Sequence, residues 1–386
     1  MRFFMKNFLF LFFTIPSFIF ANLSIQKTKN GYLEKLSFGN FGSVVYVYEK
    51  NNLKEVQRFN KDGLLLYLHS YIYDENDHLA AEMLPFNLGT VYYRFDKEKK
   101  VYRSSSPYHE EVYFFDENNL LVKRIIDGET KEYCYDENGN LLTSDHQLPL
   151  RYDDEGNLIS NGTYTFSYHS NHLLYKVEGP NTLVYYFYDE SGARSSRFDL
   201  INRSKMREHY LNLDKDPIAI LDEKANIKEL RIPGLSPDNK TIRAIAIESP
   251  KKIMIPIHDY QGNIIKLIQP FDEEVISLEF PDPYGKHLSL EPTSWTFAGK
   301  HYDLKTNLVY FGSRYYDITS KTWLTPDPMG TLQSDDLYQY CLYNPLKYYD
   351  PDGEFVFAIP LVWLGGAALG KATYRCCNFQ YCLAWK

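Results

Sequence analysis

The 386 residues are 44% hydrophobic, 24% charged and 16% aromatic, with a formal charge of −8. That balance suits a folded chain and argues against nucleic acid as a main partner. Tyrosine is the outlier, at 34 residues; it favours strands because its ring packs on a pleated face while its hydroxyl reaches a polar neighbour or water.

In chain order, the first stretch reads MRFFMKNFLFLFFTIPSFIFANLS. Arg2 and Lys6 form a positive start, the run to Phe20 is uncharged and mostly apolar, and Ala21 precedes a cleavage position. This is the pattern of a secretory signal peptide over residues 1–21, so the chain is expected to be exported to the cell surface, periplasm or medium. The apolar run is short for a membrane span.

A repeat follows. YIYDENDHLAAE begins at Tyr71, VYFFDENNLLVKR at Val112, YCYDENGNLLTS at Tyr133, RYDDEGNLIS at Arg151, FSYHSNHLLYKV at Phe166, YYFYDESGARSSR at Tyr185 and HDYQGNIIKLI at His258. Each has an alternating aromatic strand, a turn of Asp, Glu, Asn and Gly, and a second apolar strand. The aligned aromatics Tyr73, Phe95, Phe115, Tyr135, Tyr152, Tyr168 and Tyr188 recur every 16 to 22 residues. One such hairpin cannot bury a face alone, but stacked copies can. Turns are predicted near Asp77, Asn119, Gly139, Gly156 and Gly192, where positive φ is tolerated. Residues 22–70 read as degenerate copies. Residues 199–256 read as irregular, a variant repeat or a plug, with Pro217, Pro233, Pro237, Pro250 and Pro256 expected to break them into short strands and loops.

The next stretch, Phe297 to Gly353, alternates tyrosines with turn residues. It holds two Asp-Pro-x-Gly units, Asp327–Gly330 and Asp350–Gly353, in which Asp bonds its own backbone, Pro presets φ and Gly takes positive φ. After Gly353 comes FVFAIPLVWLGGAALG, residues 355–370, uncharged and too short for a full membrane span. It is expected to pack inside the protein, with membrane contact as the alternative. Cys134, Cys341, Cys376, Cys377 and Cys382 have no framework spacing; one bridge within the last three is compatible with export, and structural zinc is not expected.

Other candidate motifs carry little. Gly365–Lys371 fits the start of a phosphate loop, but Ala372 stands where a magnesium-binding Ser or Thr is needed. His109-Glu110-Glu111 lacks the second histidine of a zinc protease. No cofactor and no metal are expected. Asp327 and Asp350 have mechanistic content: two carboxylates brought together share a proton and can activate water on a peptide bond. Turn chemistry alone also explains both residues.

The order YFGSRYYD, WLTPDPMG, LYQYCLYNP, YYDPDG, together with the Tyr-Asp-x-x-Gly-Asn-Leu wording of the hairpins, resembles the Rhs-repeat-associated or YD-repeat proteins, including toxin-complex C proteins. The resemblance resumes before the core, at IHDYQGNIIKLI, Phe280–Gly285 and SWTFAGKHYD. It implies an all-β array of antiparallel hairpins forming a spiral or partial cocoon. The expected divisions are a signal peptide at 1–21, the repeat array at 22–256, pre-core and core at 257–353 and a short variable tail at 354–386. It further implies an aspartyl autoprotease pair at Asp327 and Asp350 that cuts once after the second Asp-Pro-x-Gly, near Gly353 and Glu354. This chain departs from the family twice: Glu354 stands where a bulky apolar residue is usual, and Lys321-Thr322 where Gly-Arg is usual. The function implied is an exported scaffold, a toxin-encapsulating or cell-interaction shell, with the short tail pointing to a truncated or displaced copy without an active toxin domain. The alternatives are a self-cleaving toxin carrier and a surface adhesin binding carbohydrate. The partners implied are a toxin segment, another shell protein or cell-surface carbohydrate.

Overall fold

The computed structural model describes residues 23–96, 98–142, 149–201, 204–234, 243–278, 282–286 and 292–358. The expected signal peptide, residues 359–386 of the tail and Cys376, Cys377 and Cys382 lie outside them. Among the described residues, no helix is long and apolar enough to cross a membrane, no group of three or more His, Cys, Asp or Glu is placed to hold a metal, and Cys134 and Cys341 are free thiols.

The chain is all-β. Eleven strands, from Ser24–Lys27 to Glu129–Glu132, form one sheet, and thirteen, from Arg151–Tyr152 to Glu274–Ser277, form another. In both, each strand pairs with the next in sequence, and the open strand order closes neither into a barrel. Four short strands (His301–Asp303, Leu308–Tyr310, Tyr315–Asp317, Thr322–Trp323) make a small third sheet. The architecture is that of a β-sheet shell.

One local device builds the hairpins. The side chain of Asp136 accepts the backbone N–H groups of Asn138 and Asn140, while Gly139, at φ 82°, closes the turn onto the Asp136 carbonyl. The same bonds recur at Asp74, Asp116, Asp153, Asp189, Asp222 and Asp259. The fourth residue of each turn takes positive φ: Asp77, Asn119, Gly139, Gly156, Gly192, Ala225 and Gly262. The turns thus fall on the residues that the spacing indicates. The tyrosine before the turn, followed by Asp at Tyr73, Tyr135 and Tyr188, by Glu49 at Tyr48 and by His169 at Tyr168, does a second job. Its hydroxyl donates to a backbone carbonyl of an earlier hairpin: Tyr48 to Leu33, Tyr73 to Leu53, Tyr135 to Leu121, Tyr168 to Leu158 and Tyr188 to Leu174, at 2.6–3.0 Å. At Tyr73-Asp74, Tyr135-Asp136 and Tyr188-Asp189 the pair therefore sets its own turn and ties that turn to its predecessor.

Within residues 199–256, of which 202–203 and 235–242 with Pro237 lie outside the described residues, the irregular reading is corrected. Strands Ser204–Leu213, Asp216–Leu221, Ile227–Pro233, Ala244–Glu248 and Ile253–His258 continue the thirteen-stranded sheet without a break in order. Pro217 pairs with Asn212 and Pro233 with Ala244, each beside a register shift. Irregular pairing of this kind is where a missing N–H costs least.

The two large sheets pack on each other. Leu36, Val44, Val56 and Tyr71 of the first share one core with Ile218, Leu230, Ile232, Ile255 and Ile268 of the second. Buried Arg58 crosses between them to Glu248, at 2.9 Å. The small sheet and the residues flanking its strands then divide their side chains between two cores, alternating within the strands by the period of two. Val309, Phe311, Tyr316 and Trp323 face residues of the first sheet, among them Tyr113, Phe115 and Leu121. Leu308, Tyr310, Tyr315 and Leu324 face Leu158, Phe166, Val177 and Tyr186 of the second. Each large aromatic buried this way contributes about 2–3 kcal/mol of apolar transfer. Among the tyrosines, Tyr46, Tyr67, Tyr113, Tyr186, Tyr210, Tyr310 and Tyr316 are committed to the interior.

Candidate functional site

The site is assembled by a four-residue loop, Phe311 to Arg314, between strands Leu308–Tyr310 and Tyr315–Asp317. The loop closes with the Phe311 N–H on the Arg314 carbonyl. Gly312 sits at φ +112°, and a Cβ there would meet Lys215 Cβ at 3.2 Å and the Asp352 carbonyl at 3.5 Å. Glycine thus lets the loop lie against residues 350–354. Gly353 answers it: at φ +79°, an added Cβ would stand 3.0 Å from the Arg314 backbone nitrogen.

Arg314 is the hub. Its Nη2 lies 3.0 Å from Asp327 Oδ2 and 3.4 Å from Asp350 Oδ2. Its Nε donates to the Gly353 carbonyl at 2.5 Å and its Nη1 to the Leu337 carbonyl. The guanidinium lies 4.3 Å from the centre of the Trp323 ring, a cation–π contact that holds its plane. Asp327 and Asp350 are therefore brought together, through one arginine nitrogen, beside the Gly353 carbonyl. The sequence reading did not include Arg314. Its signal was a lone arginine in the tyrosine-rich YFGSRYYD, where burial demands a partner.

The two carboxylates differ. Asp350 is buried; its Oδ1 accepts the N–H groups of Gly353 at 2.7 Å and Asp352 at 3.2 Å. Burial pushes its pKa up to about 7; Arg314 opposes this and the charge of Asp352 adds to it. The cause differs from the expected sharing of a proton with Asp327, because Arg314 stands between the two. Asp327 keeps its side chain 15% exposed, and its Oδ1 accepts the Met329 N–H at 2.8 Å. For Arg314, burial works against the charged form and the two aspartates work for it, leaving its pKa below the ordinary arginine value.

Glu354 does not enter an apolar pocket. Its Oε1 accepts from Ser313 Oγ at 2.5 Å and lies 3.3 Å from Lys215 Nζ. Burial acts to raise the Glu354 pKa, but the serine hydroxyl and the lysine ammonium more than offset it and hold it below the usual value.

No family model and no curated protein matches the chain. Among solved structures, it is similar to a chain of the TcdB2-TccC3 crystal structure, with 17% identity and a TM-score of 0.42, over 86% of this chain and 20% of that one. It is likewise similar to a chain of TcdB2-TccC3-TEV, at 18% identity and a TM-score of 0.41, over 86% and 19%. A third similar chain belongs to the Photorhabdus luminescens Tc holotoxin pore carrying TccC3-D651A, at 17% identity and a TM-score of 0.40, over 86% and 19%. The chain thus spans about a fifth of the length of these toxin-complex chains.

Proposed function

We propose that this protein is an exported β-shell scaffold whose core hydrolyses its own chain once, at the Gly353–Glu354 bond. The observation that carries the reading is the single guanidinium that meets Asp327, Asp350 and the Gly353 carbonyl together. A hydrogen-bond donor already on that oxygen polarises the carbonyl and stabilises the charge that develops when water adds. Asp327, the more open carboxylate, takes a proton from the attacking water. Asp350, protonated up to about pH 7, supplies a proton to the departing Glu354 amine. The C–N bond breaks, water is consumed, and Gly353 becomes a carboxylate. The segment beginning at Glu354 is then freed from the scaffold as its cargo, with a toxin segment or another shell protein as the partner class.

Export rests on the tripartite N-terminus. The shell role rests on two stacked hairpin sheets closed by the small sheet. The committed interior placement of so many tyrosine rings gives the carbohydrate reading no support from the repeat. Intact-mass measurement on protein from the secreting cell tests both claims. The expected result is loss of about the first 21 residues, as signal-peptide removal requires, and a chain ending at Gly353, with Asp327→Asn and Asp350→Asn left whole. A wild-type chain that begins at Met1 contradicts export, and one that stays joined across residues 353 and 354 contradicts self-cleavage.

A further inference from the structure

We infer that Lys215 and Ser313 form a dedicated seat for the side chain that follows the cut bond, and that this seat selects an acidic residue at position 354. Its effect on cutting rests on the self-cleavage reading; the seat itself does not. Three consecutive residues of the segment are held by the Gly312–Arg314 loop, in the manner of a bound substrate. The Ser313 N–H donates to the Asp352 carbonyl at 3.0 Å, Arg314 Nε donates to the Gly353 carbonyl, and the Ser313 hydroxyl donates to the Glu354 carboxylate.

Lys215 completes the seat from a different element, the turn between strands Ser204–Leu213 and Asp216–Leu221. Its Nζ donates to Ser313 Oγ at 3.0 Å as well as lying 3.3 Å from Glu354 Oε1. The ammonium, hydroxyl and carboxylate close a triangle, which fixes the rotamer of Glu354 better than a lone surface pair does. Gly312 gives the lysine its place, since a Cβ there would crowd Lys215 Cβ. The seat also explains how this chain tolerates a charge where the resemblance expects an apolar residue. An apolar side chain at 354 would take the acceptor from the Ser313 hydroxyl and the Lys215 ammonium; with the lysine side chain 41% exposed, water replaces part of that loss, and the preference for an acidic residue is the modest one of a half-exposed ion pair with a shared hydroxyl.

Two measurements on the full chain test this separately from self-cleavage. In the first, amide hydrogen exchange over residues 350–358 is followed in an Asp350→Asn background, which removes cutting as a variable. Adding Lys215→Glu is expected to speed exchange there about tenfold, the scale of a lost ion pair plus a like-charge contact. Adding Glu354→Lys to that variant is expected to restore protection. In the second, Asp350 is retained and cutting is followed by intact mass. Lys215→Glu is expected to slow cutting about tenfold, and the swapped pair to recover it. Unchanged exchange with Lys215→Glu overturns the seat. Changed exchange with an unchanged cutting rate overturns its selecting role. A chain that is never cut, yet shows the exchange pattern, sinks the self-cleavage reading and leaves the seat standing.

Discussion

Asp136 in a hairpin turn and Asp350 in a core turn both accept backbone N–H groups of their own turns, and they end up with opposite chemistry. In the hairpins, Asp136 faces solvent and its oxygens are filled by N–H groups, the backbone of Asn140 first, so its pKa is held below the usual carboxylate value. In the core, Asp350 also accepts two backbone N–H groups of its own turn. Yet it is buried, and its pKa is pushed up to about 7. Turn formation explains why aspartate stands at both places; it does not explain a protonatable acid. What makes the difference is burial in a closed aromatic core, which outweighs the opposing charge of Arg314.

The largest effect that sharpens this contrast comes from the packing under Arg314. Trp323 is fully buried, and its ring supports the guanidinium and meets Phe311, Tyr316 and Tyr340. Trp323→Ala is expected to cost about 3–5 kcal/mol of stability, read by chemical denaturation, and to stop self-cleavage. If cutting survives, the core does not depend on this platform. Next, Asp350→Asn keeps the turn's acceptor but loses the acid; cutting is expected to slow by at least about a hundredfold, followed by intact mass. A fast Asn variant would make Asp350 a turn residue like Asp136.

A pH profile separates the two regions further. The acid must be protonated, so the cutting rate is expected to hold from about pH 6 to about pH 7 and then fall about tenfold per unit above it. The same shift has a stability sign. A carboxylate whose folded pKa lies above its unfolded value of 3.8 contributes stability at low pH that is lost as pH rises through about 7. A cutting rate that is flat from pH 6 to 9 would break the assignment. The smallest effect belongs to the repeat. Tyr135→Phe removes the hydroxyl that bonds the Leu121 carbonyl at 2.7 Å. It is expected to cost about 1 kcal/mol and leave cutting unchanged, which thermal unfolding and mass together would check.

The repeat was legible in sequence because its information is local. Asp136, Asn138 and Gly139 make their turn within five residues, and Tyr135 reaches only one hairpin back. The same holds for the two core aspartates as turn formers. Their partners were hidden for the opposite reason. Arg314 and Lys215 meet residues 350–354 only after strands from two sheets are in place, and no spacing announces that. Pro217 and Pro233 misled because proline reads as a breaker, whereas register shifts in the sheet absorb both.

The central claim is that one turn aspartate has been turned into an acid by burial, against the opposing charge of Arg314. It is tested most directly by titrating the side-chain carboxyls of Asp350 and Asp136, observed by carbon NMR in uncut Asp327→Asn protein. Asp350 should titrate at about 7, with Asp136 below the usual carboxylate value. Both carboxyls titrating together in the ordinary aspartate range would contradict the account.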